Sequence, residues 1–375
     1  MSSGWRAVAT VERGRVEFVA LEVRDFRCFS GVQRFEFEPP TADGRSGITV
    51  ITGWGASGKT ALVDAIELAL WGVRHQRPRL RRGSGPLSRR ADALRDPRNF
   101  INCAALEGGD GEAIVRLTVR SRPPVGPSQS LELRRGWTQL GDGWLNESVS
   151  VAVSESGRVT KLAGVAAQRA IEDVLPAGRP PLVVTDCEEI DMIGRLASIR
   201  HDEREVAEKV IADMVGAWPE EMWREVAGPV IKAANHMLLA LDGPSGILLL
   251  PEEAGRRWGG AYPIAPGIWS TDETRGARRL TCIGLALVLG PHLAGQVSAP
   301  LVLDAPANRM KPDFSDAWMD ALAEVEQSQV ILTTHECLVE YPALTLLDRV
   351  RWFRLVQTPS HGDVHVLDEA ALIRG

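Results

Sequence analysis

A glycine-rich segment at residues 53–60 has the residue types and spacing of a phosphate-binding loop. It reads G-W-G-A-S-G-K-T, a complete G-x-x-x-x-G-K-[ST] pattern, after a predicted strand at 48–52 and at the start of a predicted helix at 59–71. Backbone N–H groups in such a loop, with the positive end of the helix dipole, hold phosphates. The segment predicts an ATP site with Lys59 on the β and γ phosphates and the Thr60 hydroxyl on Mg²⁺. The residues expected to form it are Gly53, Trp54, Gly55, Ala56, Ser57, Gly58, Lys59 and Thr60.

Two polar residues stand where later predicted strands end. Asp304 closes the apolar run at 301–304, and His335 follows the run at 329–334. Ligands of open α/β sheets bind outside the carboxyl ends of the strands. We therefore expect Asp304 to support Mg²⁺ through Thr60 or water, and His335 to face the phosphates. The alternatives are an ordinary turn aspartate and a surface histidine.

The segment 73–99 is rich in arginine, with nine in all, and it contains glycine and proline. This composition predicts an exposed loop. Guanidinium groups spaced by small residues can follow a nucleic-acid phosphate backbone, although a solvated loop fits the same composition. The candidate DNA contacts are Arg79, Arg81, Arg82, Arg89 and Arg90.

Composition limits the class of protein. The chain has 375 residues, 44% of them hydrophobic and 25% charged, which excludes a disordered or fibrous chain. No apolar run is long enough to span a membrane, and the first residues lack a signal-peptide pattern, so we expect a cytoplasmic protein with no membrane partner. The five cysteines are scattered and include no C-x-x-C pair, so no disulfide framework or zinc site is predicted. The net charge of −6 still allows a local basic patch.

The remaining pattern predicts an α/β protein. Alternating strands are expected near 16–24, 113–121, 130–137 and 148–155, followed by a helix at 165–175. Two helices with one break fill 188–240, and strands alternate with helices afterwards. We predict an N-terminal lobe at 1–186, a helical hairpin at 187–245 and a C-terminal lobe at 246–375.

The order of P-loop, strand-ending acid and strand-ending histidine resembles the ATP-binding-cassette heads of the SMC, RecF and RecN class. Within that class the chain looks most like DndD-like proteins of DNA sulfur modification and phage restriction. The similarity is carried by four further segments, at 21–29 (LEVRDFRCF), 100–106 (FINCAAL), 167–176 and 184–190.

The resemblance implies an ABC-ATPase head with an antiparallel β lobe, in which a short hairpin replaces the long coiled coil. It places Arg27 near the nucleotide and Asp186 at a Q-loop-like position near the metal. It also places Ser270 and Glu273, in a signature-like stretch, across from the P-loop of a partner. The implied partners are a second copy or a related ATPase subunit, DNA, and an effector or nuclease subunit, in genome maintenance or anti-phage defence.

Three positions depart from the family pattern. The stretch at 269–273 (WSTDE) lacks the signature glycines, Lys311 replaces an aspartate, and Ala305 stands where many relatives have a glutamate base. An alanine cannot accept a proton, so we expect slow ATP hydrolysis. A second hypothesis is a nucleotide-gated scaffold with negligible hydrolysis that recruits an effector. The sequence disfavours a third, a transporter ATPase subunit.

Overall fold

The computed structural model describes residues in both halves of the chain, and the N-terminal half is covered more completely. The described residues are 15–41, 46–54, 57–73, 96–109, 111–123, 126–141, 144–174, 184–185, 228–230, 232–236, 239, 292, 299–304, 322, 329–334, 350–357 and 364–368.

Twelve strands form two six-stranded sheets in this part of the chain. In chain order they are β1 (Arg15–Arg24), β2 (Val32–Glu36), β3 (Gly47–Gly53), β4 (Glu112–Arg122), β5 (Gln129–Gln139), β6 (Leu145–Glu155), β7 (Arg158–Ala163), β8 (Val184–Thr185), β9 (Leu301–Asp304), β10 (Gln329–Thr334), β11 (Val350–Gln357) and β12 (Val364–Asp368). The helices are α1 (Lys59–Trp71), α2 (Cys103–Glu107) and α3 (Gly164–Val174), with a 3₁₀ turn at Pro97–Asn99.

The first sheet is antiparallel throughout and has the order β2-β1-β4-β5-β6-β7. Its strands alternate, with one side chain toward the core and the next away from it, as in a sheet covered on one side. On β4, for example, Val115, Leu117 and Val119 are buried while the residues between them are partly exposed.

The second sheet is parallel except for one edge strand, with the order β12-β11-β3-β10-β9-β8. All seven residues of β3 are buried, which is typical of a central parallel strand covered on both faces. Strand β10 lies between β3 and β9. The strand that leads into the phosphate loop is therefore one strand away from the strand that ends in Asp304.

The two sheets share one hydrophobic core that includes α1 and the buried side of α3. A single buried side chain also joins them by hydrogen bonds. The Gln329 amide accepts from the N–H of Phe18 at 2.8 Å and donates to the carbonyls of Phe18 at 2.7 Å and Glu38 at 3.0 Å. These bonds satisfy backbone groups beside a bulge in β1, where the register shifts between Phe18 and Ala20. The antiparallel sheet is thereby fixed to the parallel one.

The structure confirms the predicted α/β class and the strands and helices expected before residue 175. It adds β7 and α2, which the sequence did not predict. The proposed helical hairpin lies almost wholly outside the described residues, and the three domain boundaries stay predictions. None of the helices in the described part of the chain is both long and apolar enough to cross a membrane.

Candidate nucleotide-binding site

The phosphate loop begins at the end of β3 and leads directly into α1. A Cβ added to Gly53 would lie 2.3 Å from Oγ of Ser57, so the first position has no room for a side chain. Gly58 has φ +92°, and a Cβ there would lie 2.6 Å from Sγ of Cys28. Both glycines of the motif are therefore required by space, and the second also by its backbone conformation.

Lys59 closes the loop with three hydrogen bonds. Its Nζ donates to the carbonyl of Gly53 at 2.5 Å, to that of Trp54 at 2.8 Å and to Oγ of Ser57 at 3.2 Å. The residue is only 5% exposed. Burial lowers the pKa of Lys59 to about 8, and the negative charge of Asp304 opposes this lowering. The ammonium is thus held inside the loop by acceptors that a phosphate could replace.

Asp304 lies beside the first turn of α1 and is held from both sides. Oγ1 of Thr60 donates to its Oδ2 at 3.0 Å, and Oγ1 of Thr333 donates to its Oδ1 at 2.6 Å. The structure therefore brings together Lys59, Thr60 and Asp304, as the sequence predicted. Thr333 is the fourth member and was not predicted.

The oxygen atoms of Thr60 and Asp304 suit a magnesium ion. Mg²⁺ prefers oxygen ligands and is commonly held by one or two protein groups, with phosphates and waters completing its shell. No group of three or more His, Cys, Asp or Glu side chains that could hold a metal by itself occurs among the described residues. The donor set fits an ion shared with a nucleotide better than an independent metal centre.

Arg27 packs against the helix that follows the loop. Its Nη1 donates to Oδ2 of Asp64 on α1, and its Nε donates to the carbonyl of Asn99 at 2.9 Å. Its guanidinium carbon lies 5.2 Å from the ring centre of Phe26, and its φ is +51°. Arg27 therefore fixes the loop after β1 to the nucleotide helix. Its predicted contact with the nucleotide stays a prediction.

Trp54 is the most exposed large apolar residue among those that the structure describes, with 81% of its surface accessible. Its carbonyl accepts from Ser57 N at 3.1 Å as well as from Lys59. The backbone of Trp54 is thus part of the loop, while its indole points to solvent.

Several predicted site residues lie outside the described part of the chain, so their predicted roles stay predictions. They are Gly55, Ala56, Arg79, Arg81, Arg82, Arg89, Arg90, Asp186, Ser270, Glu273, Ala305 and His335.

Thr333 was missed because its role depends on strand register. It pairs with Asp304 across the parallel β9–β10 ladder. The available signal was a hydroxyl residue inside an otherwise apolar strand, two residues before a strand-ending histidine. That signal identifies a polar position but not its partner.

Comparisons with known proteins give one family match over part of the chain and two distant structural likenesses. Residues 20–169 match the family model described as AAA domain. The SMC head solved with the C-winged helix domain of ScpA is 16% identical, covers 96% of this chain and 99% of its own, and has a TM-score of 0.49. The recombination mediator protein RecF, solved with an ATP analogue in the RecFOR pathway, is 13% identical, covers 95% and 99%, and has a TM-score of 0.44. No curated protein matches the chain significantly.

The two structural likenesses are distant, so the class rests on the AAA domain match, the strand order and the loop geometry. These features define a P-loop nucleotide-binding site, with Lys59 and Thr60 in the first turn of α1 and Asp304 at the end of β9, which β10 separates from β3. The match to the AAA domain model covers residues 20–169, and the SMC- and RecF-like ABC-type class predicted from the sequence stays a prediction for the chain as a whole. The closer resemblance to DndD-like proteins stays a prediction.

Proposed function

We propose that the chain binds ATP with Mg²⁺, pairs head to tail with a second copy or a related ATPase subunit, and acts on or beside DNA. Genome maintenance or anti-phage defence is the proposed setting, with an effector or nuclease subunit as a further partner. One observation carries the proposal: Asp304, which is 244 positions from Thr60 in sequence, lies with Lys59 and Thr60 at one glycine-bounded loop.

In this proposal each residue has a task. Lys59 exchanges the carbonyls of Gly53 and Trp54 for phosphate oxygens, and the N-terminus of α1 adds its partial positive charge. Thr60 and Asp304 hold Mg²⁺, whose charge offsets that of the phosphates. Thr333 keeps the Asp304 carboxylate turned toward Thr60.

We propose that ATP hydrolysis is slow. A general base contributes about 10²- to 10⁴-fold to such a reaction, and Ala305 provides none. His335 remains to orient the γ-phosphate and water, and Ser270 and Glu273 of a partner complete the site. The same alanine supports a second candidate, a nucleotide-gated scaffold that recruits an effector with negligible turnover.

Nucleotide binding tests the site itself. Lys59→Ala should abolish ATP binding in calorimetry, while Lys161→Ala, an exposed lysine on β7, should bind as the unmodified protein does. Equal ATP affinities for the Lys59 variant and the unmodified protein would show that the nucleotide binds at another site.

Two further variants separate the slow ATPase from the scaffold. Ala305→Glu should raise turnover, and His335→Ala should lower whatever turnover remains. Turnover that is undetectable in the unmodified protein and still absent in Ala305→Glu would favour the scaffold. If light scattering finds only monomers in the presence of a non-hydrolysable ATP analogue, the proposed head-to-tail pair is contradicted.

A further inference from the structure

The antiparallel sheet has one side that faces away from the shared core. Strand register defines that side: Glu17, Glu22 and Arg24 of β1 lie opposite Arg120, Arg116 and Ile114 of β4, and the pattern continues across β5. We call this side the arginine face. Its cationic residues are Arg15, Arg24, Arg34, Arg116, Arg120, Arg122, Arg134 and Lys161, and its anionic residues are Glu17, Glu22, Glu36, Glu112 and Glu132.

Two pairs of arginines on this face stand directly opposite each other on neighbouring strands. Arg15 pairs in register with Arg122, and Arg116 with Arg134. Like charges in this position are destabilising. Burial lowers the pKa of Arg15; Glu17 opposes this lowering and the charge of Arg122 adds to it. Arg116 and Arg134 each also pair with a glutamate, Glu22 and Glu112, which offsets part of the repulsion between them.

The carboxylates offset part of the positive charge of the face. Arg24 pairs with Asp25 at 3.5 Å, Arg34 with Glu36 at 3.3 Å and Arg134 with Glu112 at 3.3 Å, and two other glutamates are each shared between two arginines. Glu17 forms an ion pair with Arg15 at 3.1 Å and accepts a hydrogen bond from Nη1 of Arg120 at 3.5 Å. Glu22 accepts from Arg116 at 2.6 Å and lies 4.0 Å from Arg34. Eight cations against five anions leave the face positive in a protein whose net charge is −6.

The remaining residues of the arginine face have short side chains, and many of them carry hydroxyl groups. The outward residues of β6 are Ser148, Ser150, Ala152 and Ser154, and Thr118 and Ser130 extend the row on β4 and β5. Hydroxyl side chains are common phosphate donors. Of the described helices, α1 and α3 pack on the opposite side, where they contribute to the core. Arg116, Arg120 and Arg134 keep 41%, 42% and 35% of their side-chain surface exposed.

We propose that the arginine face binds the phosphate backbone of duplex DNA. Arg116 and Arg122 are six residues apart on one strand, about 20 Å, which matches the rise of roughly six base pairs. The outward residues of the six strands include no aromatic side chain, so base stacking is not expected, and the proposed contact with the phosphate backbone is independent of sequence. The proposal rests on the proposed action on DNA and names other residues than the arginine-rich segment at 73–99.

The test compares two double variants of the whole chain. Arg116→Gln/Arg134→Gln removes one opposed pair, whereas Arg158→Gln/Arg354→Gln removes two exposed arginines outside the face. Binding to a labelled duplex is measured by anisotropy over a range of salt concentrations. The first variant should lower the salt slope by about two units, with a loss of affinity of roughly tenfold or more, because each phosphate contact contributes about 0.9 to the slope. The control should bind as the unmodified protein does.

Three other results would overturn the proposal. They are equal slopes for the two variants, absence of duplex binding by the unmodified protein, and equally salt-dependent binding to polyglutamate, which would identify an acidic protein as the partner. If the first variant does not fold, Arg122→Gln/Lys161→Gln replaces it, since both side chains are exposed at strand positions of the same face. ATP binding measured on the same variants should be unchanged. If the unmodified protein does not bind ATP, that result contradicts the proposed nucleotide function and not the arginine face.

Discussion

Lys59 should take up protons when nucleotide binds, because its pKa in the free loop is about 8. Burial is the main cause of this low value and the nearby Asp304 carboxylate opposes it. Phosphate groups placed against Nζ favour the charged form and raise the pKa again. Any molecule whose Lys59 is neutral must therefore gain a proton on binding.

The expected uptake follows from that pKa. At pH 8 about half of the free molecules carry neutral Lys59, so binding takes up about 0.5 proton; the value is about 0.1 at pH 7 and about 0.9 at pH 9. The fraction of protonated Lys59 falls roughly fivefold between pH 8 and pH 9, and the apparent affinity should fall equally. Phosphate groups lose their last proton near pH 6, so the nucleotide itself contributes little in this range.

Calorimetry in two buffers with different ionisation enthalpies measures the uptake. The apparent binding enthalpy should differ at pH 9 between two amine buffers of different ionisation enthalpy, such as Bicine and Tris, and should nearly agree between two such buffers at pH 7. Lys59→Arg supplies the matched control, because a guanidinium stays charged throughout this range and should take up no proton. Equal enthalpies in both buffers at pH 9 for the unmodified protein would refute the argument, as would undiminished uptake in Lys59→Arg.

Three further variants probe the supports of the site. Gln329→Leu leaves three backbone groups without their partner and should lower the free energy of unfolding by about 2–4 kcal/mol in urea; an unchanged midpoint would contradict this. Gly58→Ala should weaken ATP binding by roughly tenfold or more, because the new Cβ lies against Sγ of Cys28. Adding Cys28→Ala should restore part of the affinity. If the double variant binds no better, the backbone conformation of residue 58 is the only cause of the loss. Thr333→Val should reduce the gain in ATP affinity that Mg²⁺ provides by about fivefold, because the lost hydrogen bond to Asp304 is worth about 1 kcal/mol. Thr333→Ser should keep that gain, and ATP binding without Mg²⁺ should be unchanged in both variants.

The part of the site that lies in one stretch of sequence was fully predictable. Residues 53–60 carry the motif, and the patterns on either side of it predict a strand and a helix. The structure has β3 and α1 at these positions. Asp304 could be proposed as a strand-ending acid, but its contact with Thr60 spans 244 positions and needed the sheet order to bring it there.

The elements and contacts that the sequence did not predict depend on which residues of neighbouring strands they face, and not on the local pattern of polar and apolar residues. Strand β7 is almost entirely exposed, so it shows no alternation between polar and apolar residues. Arg135 points into the core, where it is 4% exposed and contacts Glu147 at 3.1 Å and Gln168 at 2.9 Å. A charged residue in the core position of a strand is recognisable only when its register with neighbouring strands is known.

The loop that follows β1 connects the antiparallel sheet to the nucleotide site in three ways. Arg27 pairs with Asp64 of α1, Sγ of Cys28 fills the space beside Gly58, and the carbonyl of Cys28 accepts from Val364 N at 3.0 Å at the edge of the parallel sheet. This loop continues the strand that carries much of the arginine face. Sγ of Cys28 occupies the space where a Cβ of residue 58 would lie, so the loop after β1 packs closely against the phosphate loop. The loop after β1 is therefore the segment that joins the first strand of the arginine face to the nucleotide site.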